Sequence, residues 1–246
     1  MSSKYIGPIK WLGGIALGAF VFAILFPIIA GAVLSEEARK AVLINAIPFF
    51  AAFVGILLLF ILLIVIVAKR YNNKIPTRCY QGVEYTIIAG ILGGVIFLFQ
   101  PLSFVPYRYG FLLLLASTLS FIVWSHVLPR SARTEANLPA LGSKQHLAGG
   151  IAALVIIVVM TVGIMSINAP KPPYGLRERT FNSYDDARKA EVASAAISNF
   201  NSVEIPFLIL FSLFPAAAVY FIVREVTAER ERESVPQRVA IASGQG

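Results

Sequence analysis

Charge is what this chain has least of, and where it is missing decides the class. Only 14% of the residues are Asp, Glu, Lys or Arg, against about 25% in soluble domains. No ionisable side chain occurs from Val42 to Ala68, and none from Leu147 to Ile167. A helix crossing a hydrocarbon core about 30 Å thick needs roughly 20 apolar residues. Stretches of that length without charge fit a bilayer and not a soluble core.

Other scarcities exclude further classes. A single cysteine, Cys79, allows no internal disulfide, which removes the disulfide-stapled extracellular scaffolds. No Asn-x-Ser/Thr sequon occurs, in keeping with a bacterial or archaeal source. There is no phosphate loop, CxxC, HExxH or GxSxG, so the short motifs of nucleotide, redox, zinc and serine chemistry are missing. With only two histidines, no nucleophile, base and orienting group can be assembled from the sequence, and no enzymatic activity is expected. The centres of the apolar runs hold no Asp, Glu, Lys, Arg or His, where ion-coupled carriers usually place one.

What is present is six long apolar runs: Trp11–Leu34, Val42–Ala68, Tyr85–Val105, Tyr109–Leu128, Leu147–Ile167 and Ile205–Val223. The runs are continuous, without the period-2 alternation of a membrane barrel. In lipid every backbone polar group needs an internal partner, so continuous runs must be helices. The expected fold is all-α: a polytopic bundle of six transmembrane helices over residues 1–223, with a charged, partly disordered tail over 224–246. The first run, preceded by Lys4 and Lys10, ends near a small-residue Ala30-Gly31-Ala32 site. It is about twice the length of a signal-peptide core and reads as a retained anchor.

A net charge of +8 raises nucleic acid as a partner. The basic residues instead gather in short connections beside helix ends, where anionic headgroups sit. No basic-aromatic interleaving accompanies them, and nucleic-acid binding is not expected. The distribution sets orientation. Thirteen Lys and Arg fall on the side of the termini and eight on the other. The positive-inside rule then places both termini in the cytoplasm. Trp11, Tyr71, Tyr80, Tyr85, Trp124 and Tyr220 fall near inner ends of spans, and Tyr107 and Tyr109 near an outer turn, as amphipathic rings prefer.

The connections are short, with a tight outer turn expected at Pro106–Arg108. The inner loop Pro129–His146, with Pro139 and Gly142, reads as irregular. The outer loop, 168–204, opens with Pro170, Pro172 and Pro173, which force an extended start. A short amphipathic helix fits Tyr184–Phe200, with Ser183 as its cap, Asp185 and Asp186 in its first turn, and Ala193, Ala196, Ile197 and Phe200 as its apolar stripe. Beyond Val223 the Arg-Glu-rich sequence extends the last helix, and a mobile tail is expected from Pro236.

Several residues are candidates for function. Gly14 with Gly18, Ala89 with Gly93 and Gly90 with Gly94 stand four apart, stripping side chains from one helix face so that another backbone can approach. Gly149 and Gly150 open span five. His126 and His146 border spans near the inner surface, where facing imidazoles could ligate haem or simply stay solvated. Glu84, beside Tyr80, Gln81 and Tyr85, could serve a quinone headgroup or proton entry, or form an interfacial ion pair with Arg78. Ser117, Thr118 and Ser120 lie at mid-span, where hydroxyls line pathways or bond back to the helix. Pro215 should kink span six.

These features support a non-catalytic subunit of a larger complex in the plasma membrane, with energy-transducing assemblies, respiratory or photosynthetic, in view. Its expected partners are the bilayer and other integral-membrane subunits, with no cofactor of its own and no metal. The alternatives are a permease-type transport subunit, or a haem or quinone anchor of an oxidoreductase.

Overall fold

The computed structural model describes residues 6–101, 104–131 and 140–242. All long elements are helices: α1 (Ile6–Val33), α2 (Glu36–Arg39), α3 (Val42–Tyr71), α4 (Thr77–Phe99), α5 (Phe104–Ser125), α6 (Ser143–Asn168), α7 (Glu178–Asn182), α8 (Asp186–Asn199), a π-helical turn (Phe200–Glu204) and α9 (Ile205–Ala242). Among the described residues, six helices are long and apolar enough to cross a membrane. The chain divides into two compact units, Met1–Lys74 with Ile122–Leu128, and Ile75–Phe121 with Pro129–Gly246.

The first unit is an antiparallel hairpin of α1 and α3. Ala16 is fully buried at the contact, and Gly55 lets the Phe20 ring lie where its own side chain would stand, 3.0 Å from that position. Ser35 caps the link helix α2 by accepting from the Ala38 N–H at 3.3 Å. At the far end of α3, the Asn72 side-chain oxygen accepts from Leu128 N at 2.7 Å, and Asn73 N donates to Leu128 O at 2.9 Å.

The second unit is built on missing side chains. A Cβ at Gly94 would stand 2.7 Å from Leu114 N, and one at Gly110 would stand 2.5 Å from Phe97 Cβ, so α4 and α5 touch backbone to backbone. Gly82 lies under the Phe221 ring and Gly149 under Tyr220, bringing α4 and α6 onto α9. At mid-helix the Thr161 and Ser212 hydroxyls meet at 3.3 Å. Lipid tails give no hydrophobic drive for helix association, so this close approach is what holds such helices together.

Several boundaries differ from the sequence reading. The third span runs Thr77–Phe99, not Tyr85–Val105. Pro76 stands at its N-cap, Pro101 follows its end, and Arg78, Gln81 and Glu84 are polar members of its first turns. Pro106–Arg108, expected as a turn, is helical, and Pro106 sits in the first turn of α5, where a missing N–H costs nothing. Span four therefore ends at Ser125 and not at Leu128. α6 begins at Ser143, so His146 is helical and not a loop residue. Pro139 lies outside the described residues.

The largest correction concerns the outer loop. Its amphipathic helix is not separate: α8 runs through the π turn directly into α9. Nothing breaks the helix between Asp186 and Glu204. Pro206 has no N–H for the Ser202 carbonyl and its ring would crowd that carbonyl in an α turn; a wider turn accommodates it. The cap of α8 is Asp185, which accepts from Arg188 N at 2.9 Å, and not Ser183, which ends α7. In the remaining loop, Tyr174 and Gly175 take left-handed φ values of 55° and 82° after the prolines. α9 is continuous through Pro215, and it stays helical past Pro236 to Ala242.

Candidate functional sites

The densest polar site lies in the second unit, at the end where α4 and α6 begin and α9 leaves the apolar stretch. Arg78 donates to both oxygens of Glu225, Nη2 to Oε1 at 2.6 Å and Nε to Oε2 at 2.8 Å. Arg130 donates to Glu229 Oε1 at 2.8 Å. Glu225 and Glu229 stand four apart on α9 and so share a face. Gln145 bridges two elements: its carbonyl oxygen accepts from Gly142 N at 2.9 Å, closing the first turn of α6, and its amide donates to Glu231. Arg224 is buried with its Cζ 5.1 Å from the Phe221 ring centroid and 5.6 Å from that of Tyr220, a cation–π arrangement.

Burial matters more than the number of pairs. The Glu225 side chain is only 4% exposed against 27% for Arg78. A bidentate charge-assisted pair holds such a carboxylate in fixed geometry, whereas exposed pairs contribute about 0–1 kcal/mol. The sequence reading missed Glu225, because it closed the last span two residues earlier. The recurrence of Glu at 225 and 229 was the available signal.

The opposite end of this unit carries a smaller network. Arg108 Nη2 donates to Tyr109 Oη at 2.7 Å and to Glu204 Oε2 at 3.3 Å, and Asn168 Nδ2 donates to the same Tyr109 oxygen at 3.3 Å. The start of α5, the end of α6 and the π turn are thereby joined.

The candidates named from sequence fall apart into these places. His126 belongs to the first unit and His146 to the second. His126 Nδ1 lies 2.7 Å from Ile122 O, which makes that nitrogen the protonated one. His146 Nδ1 lies 2.6 Å from Tyr220 Oη. Glu84 is half-buried on α4, and Arg78, offered as its counter-ion, is held by Glu225. Gly90 and Gly94 are buried against neighbouring helices, while Ala89 is exposed and Gly93 half-buried. Gly14 and Gly18 differ: a Cβ at either would meet nothing within 4 Å. Among the described residues no three His, Cys, Asp or Glu side chains gather closely enough to hold a metal ion.

No family model, curated protein or solved structure matches this chain.

Proposed function

We propose that this chain is a non-catalytic, multi-pass subunit of a larger assembly in the plasma membrane, with both termini in the cytoplasm. The observation that carries the reading is the contrast between glycines. Gly82, Gly90, Gly94, Gly110 and Gly149 each admit a neighbour from the same chain, but among the described residues a Cβ at Gly14 or Gly18 of α1 would meet nothing within 4 Å. Small-residue faces of this kind let a second backbone approach closely. The face is therefore the place for a helix from another integral-membrane subunit. Ion pairs at both ends of the second unit tie its helices together, which suits a rigid scaffold. The thirteen-to-eight basic asymmetry supports the orientation.

The test is purification from native membranes in mild detergent, after cysteine cross-linking from position 21, where Val21 is exposed one turn beyond Gly18 on α1. A cross-linked integral-membrane chain, lost in a Gly14→Leu/Gly18→Leu variant of unchanged thermal stability, would support the reading. A chain that purifies alone and forms no cross-link would overturn it.

A further inference from the structure

The exposed face of α4 opens into a groove of about 470 Å³ within the second unit, a volume in the usual range of small-molecule sites, roughly 300–1,000 Å³. Gly90 and Gly93 form its floor, with Phe97, Leu113, Phe214 and Phe221 among its walls. No charged side chain lines it. Tyr85 and Ala89, on the same helix face, are exposed at its mouth, so it opens sideways, where hydrocarbon would lie.

One hydroxyl in this region is out of order. Thr86 bonds back to the Gly82 carbonyl at 2.9 Å, and Ser212 to the Leu208 carbonyl at 2.8 Å, as hydroxyls in membrane helices ordinarily do. Ser117 is fully buried, yet its Oγ has no hydrogen-bond partner among the described residues. It stands where a Gly90 side chain would be, and the Phe214 ring edge lies 2.8 Å from that same point. Leu113, one turn earlier on α5, lines the groove as well. The orphan hydroxyl thus lies behind two of the groove's own residues, Gly90 and Phe214. Lipid tails can offer it no acceptor, and an unmade hydrogen bond in such surroundings is costly.

We propose that the groove binds a neutral membrane lipid whose flat ring carries a carbonyl oxygen, the chemistry of an isoprenoid quinone, with the Ser117 hydroxyl donating to that oxygen. The glycine floor lets a flat ring lie against backbone, and aromatic walls favour offset or edge-on stacking. The open side accommodates the hydrocarbon tail. A charged phospholipid headgroup does not suit this depth. Phe214, half-buried between the groove and Ser117, is the side chain that must turn aside.

Equilibrium dialysis of the full chain in mild detergent, with decylubiquinone as probe, tests this. Saturable binding is expected, weakened about fivefold to tenfold by Ser117→Ala, the loss of one hydrogen bond. The ligand-free Ser117→Ala chain should melt no lower than the parent, because an unsatisfied hydroxyl has been removed. Gly93→Phe should abolish binding by filling the floor; the nearest atom to a Cβ there is Leu113 Cδ2 at 3.7 Å, so the position has room. Decylbenzene, a ring without oxygen, should bind more weakly than the quinone. Absence of saturable binding overturns the proposal, as does equal affinity for decylbenzene or for Ser117→Ala. If Gly93→Phe fails to fold, the Ser117→Ala comparison decides alone.

Discussion

Arg78 and Glu225 lie 147 positions apart in sequence and meet through two hydrogen bonds, 2.6 and 2.8 Å long. Removing one member of a buried pair costs about 3–5 kcal/mol, because the other charge stays behind. Arg78 is partly exposed, so water recovers some of this. Glu225→Ala should destabilise the detergent-solubilised chain by about 2–3 kcal/mol, read as a lower midpoint of thermal unfolding. Arg78→Met/Glu225→Leu, which removes both charges, should melt closer to the parent than the single variant. Equal midpoints for parent and Glu225→Ala would deny the pair any role in stability.

The glycines should divide into two groups. Gly94 faces the Leu114 backbone, so Gly94→Leu should cost roughly 1–3 kcal/mol of overpacking. Gly14→Leu and Gly18→Leu meet open space and should leave the melting midpoint of the isolated chain unchanged. A large loss at Gly14 or Gly18 would mean that the face is covered by this chain itself.

The orientation can be read in intact cells. In a Cys79→Ser background, cysteine at Lys171, exposed in the loop after α6, should react with an impermeant thiol reagent. Cysteine at Arg230, exposed on α9, should react only after the cells are opened. The reverse pattern would invert the topology.

The π turn acts as a rotational spacer between α8 and α9. Deleting Ser202 would restore α spacing and turn α8 by about 100°, one residue of helix. Phe200, buried in the native turn, should then leave its pocket. Phe200→Cys should be slow to label in the parent and quick in the deletion variant. Equal labelling would show that the turn sets no register.

Length and apolar continuity made the six helices legible in the sequence, because a bilayer demands both. Their ends were less legible. Arg78, Gln81 and Glu84 resembled a loop, but in α4 they are helical and Arg78 reaches a partner on α9. Pro106 resembled a breaker, but the first turn of a helix tolerates proline, and Pro101 is the one that ends α4. Ser117 could be marked as a mid-span hydroxyl. That it fails to bond back, unlike Ser212, depends on how α4, α5 and α9 meet, which no local pattern encodes. Glu225 escaped for the same reason, since its burial comes from α4, far away in sequence.

The order of synthesis gives the α9 glutamates a further significance. Arg78 and Arg130 leave the ribosome long before Glu225 and Glu229, which grip them in the finished structure. The second unit therefore cannot close electrostatically until its last helix is made. A nascent chain stalled or cut before Arg224 would hold the earlier helices and none of these carboxylates.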